Sequence, residues 1–357
     1  MRIAKIPLVI LLLVAVGLYV NNGCVAGEMS IPSQQEHHEM RLQASTPPNF
    51  MVAFLGDQGD SEGARAVLRM IKNEGADMVL HQGDFDYEDD PERWDQMIND
   101  LLGSNFPYFA SIGNHDDDAW PGYQQKLQAR LARIPDATCE GDLGIKSACR
   151  YKGLFFVLSG VGVMGSKHDE YIEKQLSDNH AIWRICSWHE NQRLMQVDDK
   201  KDTVGWGPYE ACRKGGAIIA TAHSHTYSRT HLMDNFATQS IASTATTLRL
   251  EKGKTFVFVS GLGGKSIRDQ EEALAKNPWW ASIYTSNQGA NYGALFCLFN
   301  ESGVENRARC YFKDISGNVP DAFVLVSNVK QNLTSQNTST SPGRVLSWSL
   351  PKTSNKR

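Results

Sequence analysis

Acidic, amide and imidazole side chains recur along this sequence, each shortly after an apolar run that is typical of a β-strand. They are Asp57, Asp84, Asn114, His115, His189, His223 and His225. Because parallel strands end at the same edge of a sheet, side chains that follow several such strands converge on one crevice. Carboxylate oxygens mixed with imidazole nitrogens suit Zn, Mn or Fe better than calcium. The sequence therefore predicts a metal site at this edge.

The number of candidate ligands favours two metal ions over one. Two aspartates, one asparagine and three histidines are too many for a single tetrahedral ion, whereas they suit two ions that share a carboxylate. Each motif alone has a simpler interpretation, because Gly-Asp after a strand is commonly a turn or a helix cap. The pair His223 and His225 is more specific, since alternate residues of an extended segment point to the same side. The ordered recurrence at strand ends supports the site.

Short β-type runs alternate with amphipathic segments from residue 50 onward. Helices are predicted from Ser61 to Gly75, in "PERWDQMINDLLG" and in "WPGYQQKLQARLARI". This alternation predicts an α/β domain with a largely parallel inner sheet. From Tyr292 to Val326 strand and turn signals replace the helical ones. An antiparallel closing section is therefore expected there.

The two ends of the chain differ in composition from its middle. Residues 1–27 combine positive charge, an apolar run and small residues, which is typical of a cleaved signal peptide. An uncleaved anchor and a lipid on Cys24 are the alternatives. Residues 28–48 form a polar lead-in, and residues 49–328 hold the predicted catalytic domain. Residues 329–357 are rich in Ser, Thr and Asn and are predicted to be a disordered tail.

Charge limits the partners that the chain can have. The formal net charge is −4, and removal of residues 1–27 would take away two basic residues and no acid. A mildly acidic protein is a poor partner for nucleic acid. The expected location is secreted or extracytoplasmic, with no stable membrane span after cleavage. The sequence leaves the oligomeric state open.

The cysteine count also favours an oxidising compartment. Seven cysteines are present, and loss of Cys24 with the signal peptide would leave an even number. For Cys186 and Cys212, a disulfide and two buried free thiols are both open. Two other disulfides are predicted, one across a hairpin-like segment and one around a polar loop: Cys297–Cys310 and Cys139–Cys149.

The motifs resemble those of the calcineurin-like metallophosphoesterase superfamily, and most of all its purple acid phosphatase branch. That branch carries GDxG, GDxxY, GNH followed by an acid, VxxH and GHxH. This sequence has "GDQG" from Gly56, "GDFDY" from Gly83, "GNHD" from Gly113, "CSWH" from Cys186 and "AHSH" from Ala222. The similarity covers roughly residues 50–326 in motif order. It implies a four-layer αββα sandwich that forms one catalytic domain.

The resemblance also implies a role for each motif residue. The first metal ion would be held by Asp57, Tyr87 and His225, and the second by Asn114, His189 and His223, while Asp84 would bridge the two ions.

Two further roles follow from the resemblance. A Tyr87 phenolate favours Fe(III) at the first position, with Zn, Mn or Fe(II) at the second. A partly buried aromatic residue at a helix entry is the alternative for Tyr87. His115 would contact a phosphate oxygen or assist the leaving group.

The sequence departs from the branch after His189. Plant-type enzymes carry further histidines there, whereas this chain has "ENQRLMQVDDK". The usual proton donor to the leaving group is therefore missing. His168 could substitute for it, although a surface loop histidine is the preferred interpretation.

These features predict an exported, dinuclear-metal-dependent phosphoester hydrolase that acts on small-molecule phosphoesters. The preferred reaction is that of a phosphomonoesterase, with a metal-bound hydroxide as the nucleophile. A phosphodiesterase or nucleotidase is the nearest alternative, because without these histidines the handling of the leaving group is undefined. An extracellular binding module that keeps its metals without turnover is the alternative from another class.

Overall fold

The computed structural model describes residues 45–177 and 179–329. The predicted signal peptide, most of the polar lead-in and all but the first residue of the predicted tail lie outside the described residues. Within the described ranges, no helix is both long and apolar enough to cross a membrane.

Two helices of the first half of the chain begin directly after a side chain that caps them. Ser61 caps α1 (Glu62–Asn73) through a hydrogen bond that its Oγ accepts from the N–H of Ala64. Asp90 caps α2 (Pro91–Leu101) in the same way, and proline occupies the first turn, where no N–H is needed. The other helices are α3 (Trp120–Leu131), α4 (His168–Ser177), α5 (Gly207–Gly215) and the short α6 (Glu272–Ala275).

The strands form two large sheets and one hairpin. From edge to edge, the first sheet contains β12 (Thr247–Leu250), β17 (Asp321–Ser327), β16 (Arg307–Asp314), β15 (Gly293–Phe299), β1 (Phe50–Leu55), β2 (Met78–His81) and β3 (Tyr108–Ala110). The second contains β14 (Trp280–Tyr284), β9 (Tyr227–Thr230), β13 (Val257–Ser260), β8 (Ile218–Thr221), β7 (Trp183–Ser187), β6 (Leu154–Ser159), β5 (Lys146–Tyr151) and β4 (Thr138–Asp142). The hairpin joins β10 (Leu232–Asn235) to β11 (Ser240–Ser243).

The two sheets pack face to face around the main hydrophobic core. Phe54 of β1 meets Phe258 of β13 at a ring-centroid distance of 5.3 Å. Alternate residues of β6 separate into two clusters, because successive side chains of a strand point to opposite faces. Phe156 belongs to the core between the sheets, whereas Phe155 and Val157 pack outward with residues of α4 and α5.

Helices cover the outer face of each sheet. Helices α1 and α3 contact the first sheet and α2 packs between them, while α4 and α5 contact the second sheet. The result is a helix–sheet–sheet–helix arrangement of four layers. This confirms the predicted αββα sandwich.

The prediction of one largely parallel inner sheet was too simple. In the second sheet only the central strands β13, β8, β7 and β6 are parallel, and antiparallel strands flank them on both sides. In the first sheet the parallel pairs lie toward the edges, with β1, β2 and β3 at one edge and β12 beside β17 at the other. The strands between these two sets pair antiparallel, and β1 itself pairs antiparallel with β15. The closing section predicted from Tyr292 to Val326 is the antiparallel set β15, β16 and β17.

Six cysteines of the described residues form three disulfides. Cys297 faces Cys310 across β15 and β16, and Cys139 faces Cys149 across β4 and β5, which confirms both predicted pairs. The third disulfide joins the fully buried Cys186 and Cys212, so the free-thiol alternative is wrong. It ties β7 to α5, which lies on the outer face of the second sheet.

We expect the Cys186–Cys212 disulfide to stabilise the fold measurably. Replacement of both residues by serine should lower the free energy of unfolding by about 2–4 kcal/mol, because a cross-link restricts the unfolded chain. Urea unfolding under oxidising conditions measures the change. Alkylation of the unreduced, denatured protein should leave both cysteines unlabelled, and labelling of either would contradict the pairing.

Candidate metal centre

The strand order brings the predicted ligands to one edge between the two sheets. Asp57 follows β1, Asp84 follows β2 and Asn114 follows β3, and these three strands are parallel neighbours in the first sheet. His189 follows β7 and His223 follows β8, which are parallel neighbours in the second sheet. Each sheet therefore contributes one wall of the site.

The first group of side chains surrounds Asp57. Its Oδ1 accepts a hydrogen bond from the Tyr87 hydroxyl at 3.1 Å and lies 3.3 Å from His225 Nε2. The Tyr87 oxygen is 3.2 Å from the same His225 nitrogen. Three potential ligand atoms thus meet at one point, which we call the first ligand group.

The second ligand group surrounds His189. Its Nε2 lies 3.1 Å from the side-chain oxygen of Asn114 and 3.1 Å from Nδ1 of His223. The Nδ1 of His189 is 2.8 Å from the carbonyl oxygen of Gln82, to which it donates. This bond fixes the ring and directs Nε2 into the site, as is usual for metal-binding histidines.

Asp84 lies between the two groups. Its Oδ2 is 3.3 Å from His189 Nε2, while its Oδ1 accepts from the backbone N–H of His115 at 2.9 Å. Asp57, Asp84 and His189 offer ligand atoms that all lie within 4.8 Å of one another. The Oδ2 atoms of both aspartates are buried and find no hydrogen-bond partner among the described residues. Buried, unpartnered carboxylate oxygens beside imidazoles fit a bound cation.

The charges in the site follow from these contacts. Burial favours a neutral imidazole, but the carboxylates of Asp84 and Asp57 outweigh it and raise the pKa of His189 to about 9. Burial, with the positive charges of His189 and Lys200, lowers the pKa of His223 to about 2. His223 is therefore ready to act as a neutral ligand, whereas His189 would exchange its proton for a metal ion.

Burial and the nearby carboxylates also act on the Tyr87 phenol. Burial has the largest effect, and the negative charges of Asp57 and Asp84 add to it. Together they hold the pKa of Tyr87 well above its usual value. The hydroxyl is consequently a donor to Asp57. Ligation by the phenolate would require a cation to displace that proton.

Several of the predicted ligands have a strained backbone. Four of them have a left-handed backbone: φ is 55° at Asp57, 60° at Asp84, 65° at Tyr87 and 66° at His223. Each such non-glycine residue costs about 1–3 kcal/mol and is commonly found at functional sites. A Cβ on Gly113 would lie only 2.2 Å from the backbone N of Asp84. The glycine therefore allows the two ligand loops to touch.

The prediction for the "HSH" segment was right about the place and wrong about the geometry. The chain turns here instead of extending, because Ser224 donates to Ala222 and Thr226 donates to Ser224. His223 consequently faces the second ligand group, and His225 faces the first. His115, by contrast, is exposed, and its ring lies 4.7 Å from the Tyr87 ring.

The preferred interpretation of His168 as a surface loop residue was wrong. His168 begins α4 and is buried, with Nδ1 2.9 Å from the Ser159 hydroxyl and Nε2 3.0 Å from the carbonyl oxygen of Met164. Both ring nitrogens are engaged in the fold. The structure thus gives His168 a packing role outside the two ligand groups.

Asp116 is a buried residue at this site that the sequence analysis did not single out. Its Oδ2 accepts from the backbone N–H groups of Asp84 and Gly113, at 2.8 and 2.7 Å. Its Oδ1 accepts from the N–H of Phe85 at 2.8 Å. One carboxylate thus holds two ligand loops together. The family pattern, in which an acid follows "GNH", was the sequence signal that could have identified Asp116.

Comparison with known proteins gives the family of this chain. A family model described as calcineurin-like phosphoesterase matches residues 50–227, which include all seven predicted ligands. The chain belongs to the calcineurin-like phosphoesterase family. This membership puts it among the metal-dependent phosphoesterases, which are hydrolases of ester bonds. No match was found among curated proteins.

Solved structures share the fold at low sequence identity. A purple acid phosphatase, PPD1 from yellow lupin (Lupinus luteus) seeds, has a TM-score of 0.59 and 16% identity, over 80% of this chain and 56% of the lupin chain. GAP50, the anchor in the inner membrane complex of Plasmodium, has a TM-score of 0.52 and 14% identity, over 79% of this chain and 90% of GAP50. PhoD has a TM-score of 0.51 and 11% identity, over 80% and 71% respectively. This chain thus spans little more than half of the lupin enzyme.

We expect the Asp116→Asn variant to loosen both ligand loops. An amide group offers one acceptor atom and places an NH₂ against a backbone donor, so at least one charge-assisted hydrogen bond is lost. The free energy of unfolding should fall by about 2–3 kcal/mol, as measured by urea unfolding. Asp117→Asn removes an exposed neighbouring charge and is the control. Equal stability of the two variants would contradict the role given to Asp116.

Proposed function

We propose that this protein is an exported hydrolase of phosphomonoesters that works with two metal ions, in the manner of purple acid phosphatases. The observation that carries the proposal is the geometry of the seven side chains. They form two ligand groups, around Asp57 and around His189, and the Asp84 carboxylate lies between them.

Each ligand group suits one cation. Asp57, Tyr87 and His225 would hold the first ion, and Asn114, His189 and His223 the second, with Asp84 shared between them. When bound, the two ions would supply an activated water and neutralise charge on the phosphoryl oxygens.

The side chains around the two groups have tasks of their own. Asn114 is a neutral ligand, so the second group carries less negative charge than the first. His115 is exposed beside Tyr87 while its backbone is held by Asp84. Its imidazole is therefore free to approach a phosphate oxygen or the leaving group from the open side of the site.

Tyr87 supports iron as one of the two ions. A phenolate is a hard, anionic ligand and favours a trivalent ion over a divalent one. Its oxygen lies within hydrogen-bond distance of both other members of the first group, so one ion there would contact all three. We assign Fe(III) to the first group and Zn, Mn or Fe(II) to the second.

Export is supported by the disulfides. Three of them in one chain are typical of an oxidising compartment and unusual in the cytosol. The apolar segment before residue 28 has the composition of a signal peptide.

A binding protein without turnover is the second candidate, and GAP50 is the observation in its favour. That protein is described as an anchor and shares this fold over 90% of its length. In the present chain, the strained backbone at four predicted ligands favours an enzyme over such a binding protein, because strained residues are commonly found at active sites. A phosphodiesterase or nucleotidase remains the alternative within the enzyme class.

We expect metal-dependent turnover of p-nitrophenyl phosphate by the full chain after expression in an exporting host. Replacement of the shared ligand in Asp84→Asn should lower kcat/KM at least about 100-fold, because even residues that only support metal ligands cost 10- to 100-fold. Asp118→Asn removes an exposed carboxylate from a neighbouring loop and should leave the rate unchanged.

The same assay separates the three candidates. Preference for bis-p-nitrophenyl phosphate over the monoester would indicate a phosphodiesterase. Metal-loaded, folded protein that turns over neither ester would refute the enzyme and favour the binding protein.

Tyr87→Phe tests the assignment of iron by a measurement other than activity. The Fe(III)-loaded protein should show a visible absorption band from charge transfer between phenolate and iron. That band should be absent from Tyr87→Phe and retained in Tyr171→Phe, which alters a tyrosine of α4 outside the site. A band that persists in Tyr87→Phe would rule out the phenolate ligand.

A further inference from the structure

Lys200 places a positive charge directly against the second ligand group. Its Nζ is 3.1 Å from Nδ1 of His223, the same nitrogen that lies 3.1 Å from His189. The side chain is only partly buried, so it reaches the ligands from the open side of the site. An ammonium group is a hydrogen-bond donor without an acceptor and does not ligate a metal ion.

The loop around Lys200 is fixed by buried polar residues. The backbone N–H of Lys200 donates to Asp198 Oδ1 at 3.4 Å, and its carbonyl accepts from Gln196 Nε2 at 2.9 Å. Both Asp198 and Gln196 are buried. The peptide groups on both sides of the Lys200 Cα are therefore held, which directs this lysine toward the site.

A second cation lies beside this loop. The Arg268 guanidinium is 3.7 Å from Asp198 Oδ2, and its backbone N–H donates to the carbonyl of His225 at 3.0 Å. Arg268 is thus anchored to the loop of one predicted ligand and to the acid that holds Lys200. The two cations lie on one side of the candidate metal centre.

Electrostatics restrict what Lys200 can contact once metal ions are bound. Two or more positive charges a few ångströms apart repel one another in a partly buried site. An anion between them removes that repulsion, and a phosphoryl group presents several oxygens that accept from an ammonium group. The position of Lys200 therefore fits a substrate anion as its partner.

The sequence context agrees with such a role. Lys200 ends the segment "ENQRLMQVDDK", where the resemblance to plant-type enzymes leads one to expect further histidines. A search limited to histidines overlooks a lysine there, although either side chain can donate a hydrogen bond to phosphate.

We propose that Lys200, held in place by Asp198 and Gln196, contacts the phosphoryl group of the substrate on the side of the second ligand group. The proposal rests on the proposed phosphoester hydrolase function. It names a substrate-binding residue in addition to the seven predicted ligands and His115.

The test is phosphate binding by the metal-loaded full chain, measured by calorimetry with inorganic phosphate. Lys200→Met should weaken binding about 10- to 100-fold, which corresponds to the loss of one charge-assisted hydrogen bond. Lys201→Met removes the same charge from the exposed neighbouring residue and should change binding less than about twofold. Lys200→Arg keeps the charge and should bind phosphate more tightly than Lys200→Met.

Metal content and the melting temperature are measured for every variant. Phosphate binding by Lys200→Met that equals the wild type, or a loss that is equal in Lys200→Met and Lys200→Arg, would overturn the proposal. Loss of metal in place of phosphate affinity would do the same. Wild-type protein that holds metal yet neither binds phosphate nor hydrolyses p-nitrophenyl phosphate would refute the proposed function itself. An active wild type with an unaffected Lys200→Met refutes only the role of Lys200.

Discussion

Two fully buried carboxylates, Asp57 and Asp84, lie in one site, and the rest of the structure has to offset their cost. Like charges that are removed from water destabilise a fold unless cations or hydrogen-bond donors surround them. Here the neighbouring imidazoles overcome the effect of burial and hold the pKa of Asp57 below its usual range. The described residues nevertheless leave one buried oxygen of each carboxylate without a hydrogen-bond partner, so they offset the cost of burial only in part.

The same constraint explains why the ligand loops are so rigidly built. Left-handed backbone at the ligands would relax if the loops were free, but Asp116 binds three of their N–H groups and Gly113 lets them touch. Burial and the adjacent Asp84 raise the pKa of Asp116, so a cation near Asp84 would favour the ionised form that accepts these bonds. A cation bound at Asp84 would thus also strengthen the hydrogen bonds that order the ligand loops, through one buried acid.

The sequence predicted the parts of this site that depend on residue type and strand position. Short apolar runs followed by Asp57, Asp84 and His189 indicated where the ligands would meet, and periodicity located three helices, the first of them with its Ser61 cap. It did not predict the roles of Asp116 and Lys200, because these roles depend on which backbone groups and ligands the two side chains reach in space. Strand β4 has the polar sequence "TCEGD", which carries no apolar signal. It forms because it pairs with β5. The paths of His223 and His225 were wrong because local turns override strand-like alternation.

The antiparallel pairing of β1 with β15 has a consequence for how the protein is made. All seven predicted ligands have been synthesised once the chain reaches residue 225, yet β1, which directly precedes Asp57, still lacks its neighbour on one side. That neighbour begins at Gly293 and is itself followed by the two strands that complete the sheet. A nascent chain can therefore expose every metal-binding side chain long before it has a fold that holds them, since contacts of such large sequence separation form late. Binding of metal ions at these side chains would therefore have to wait until the first sheet has closed.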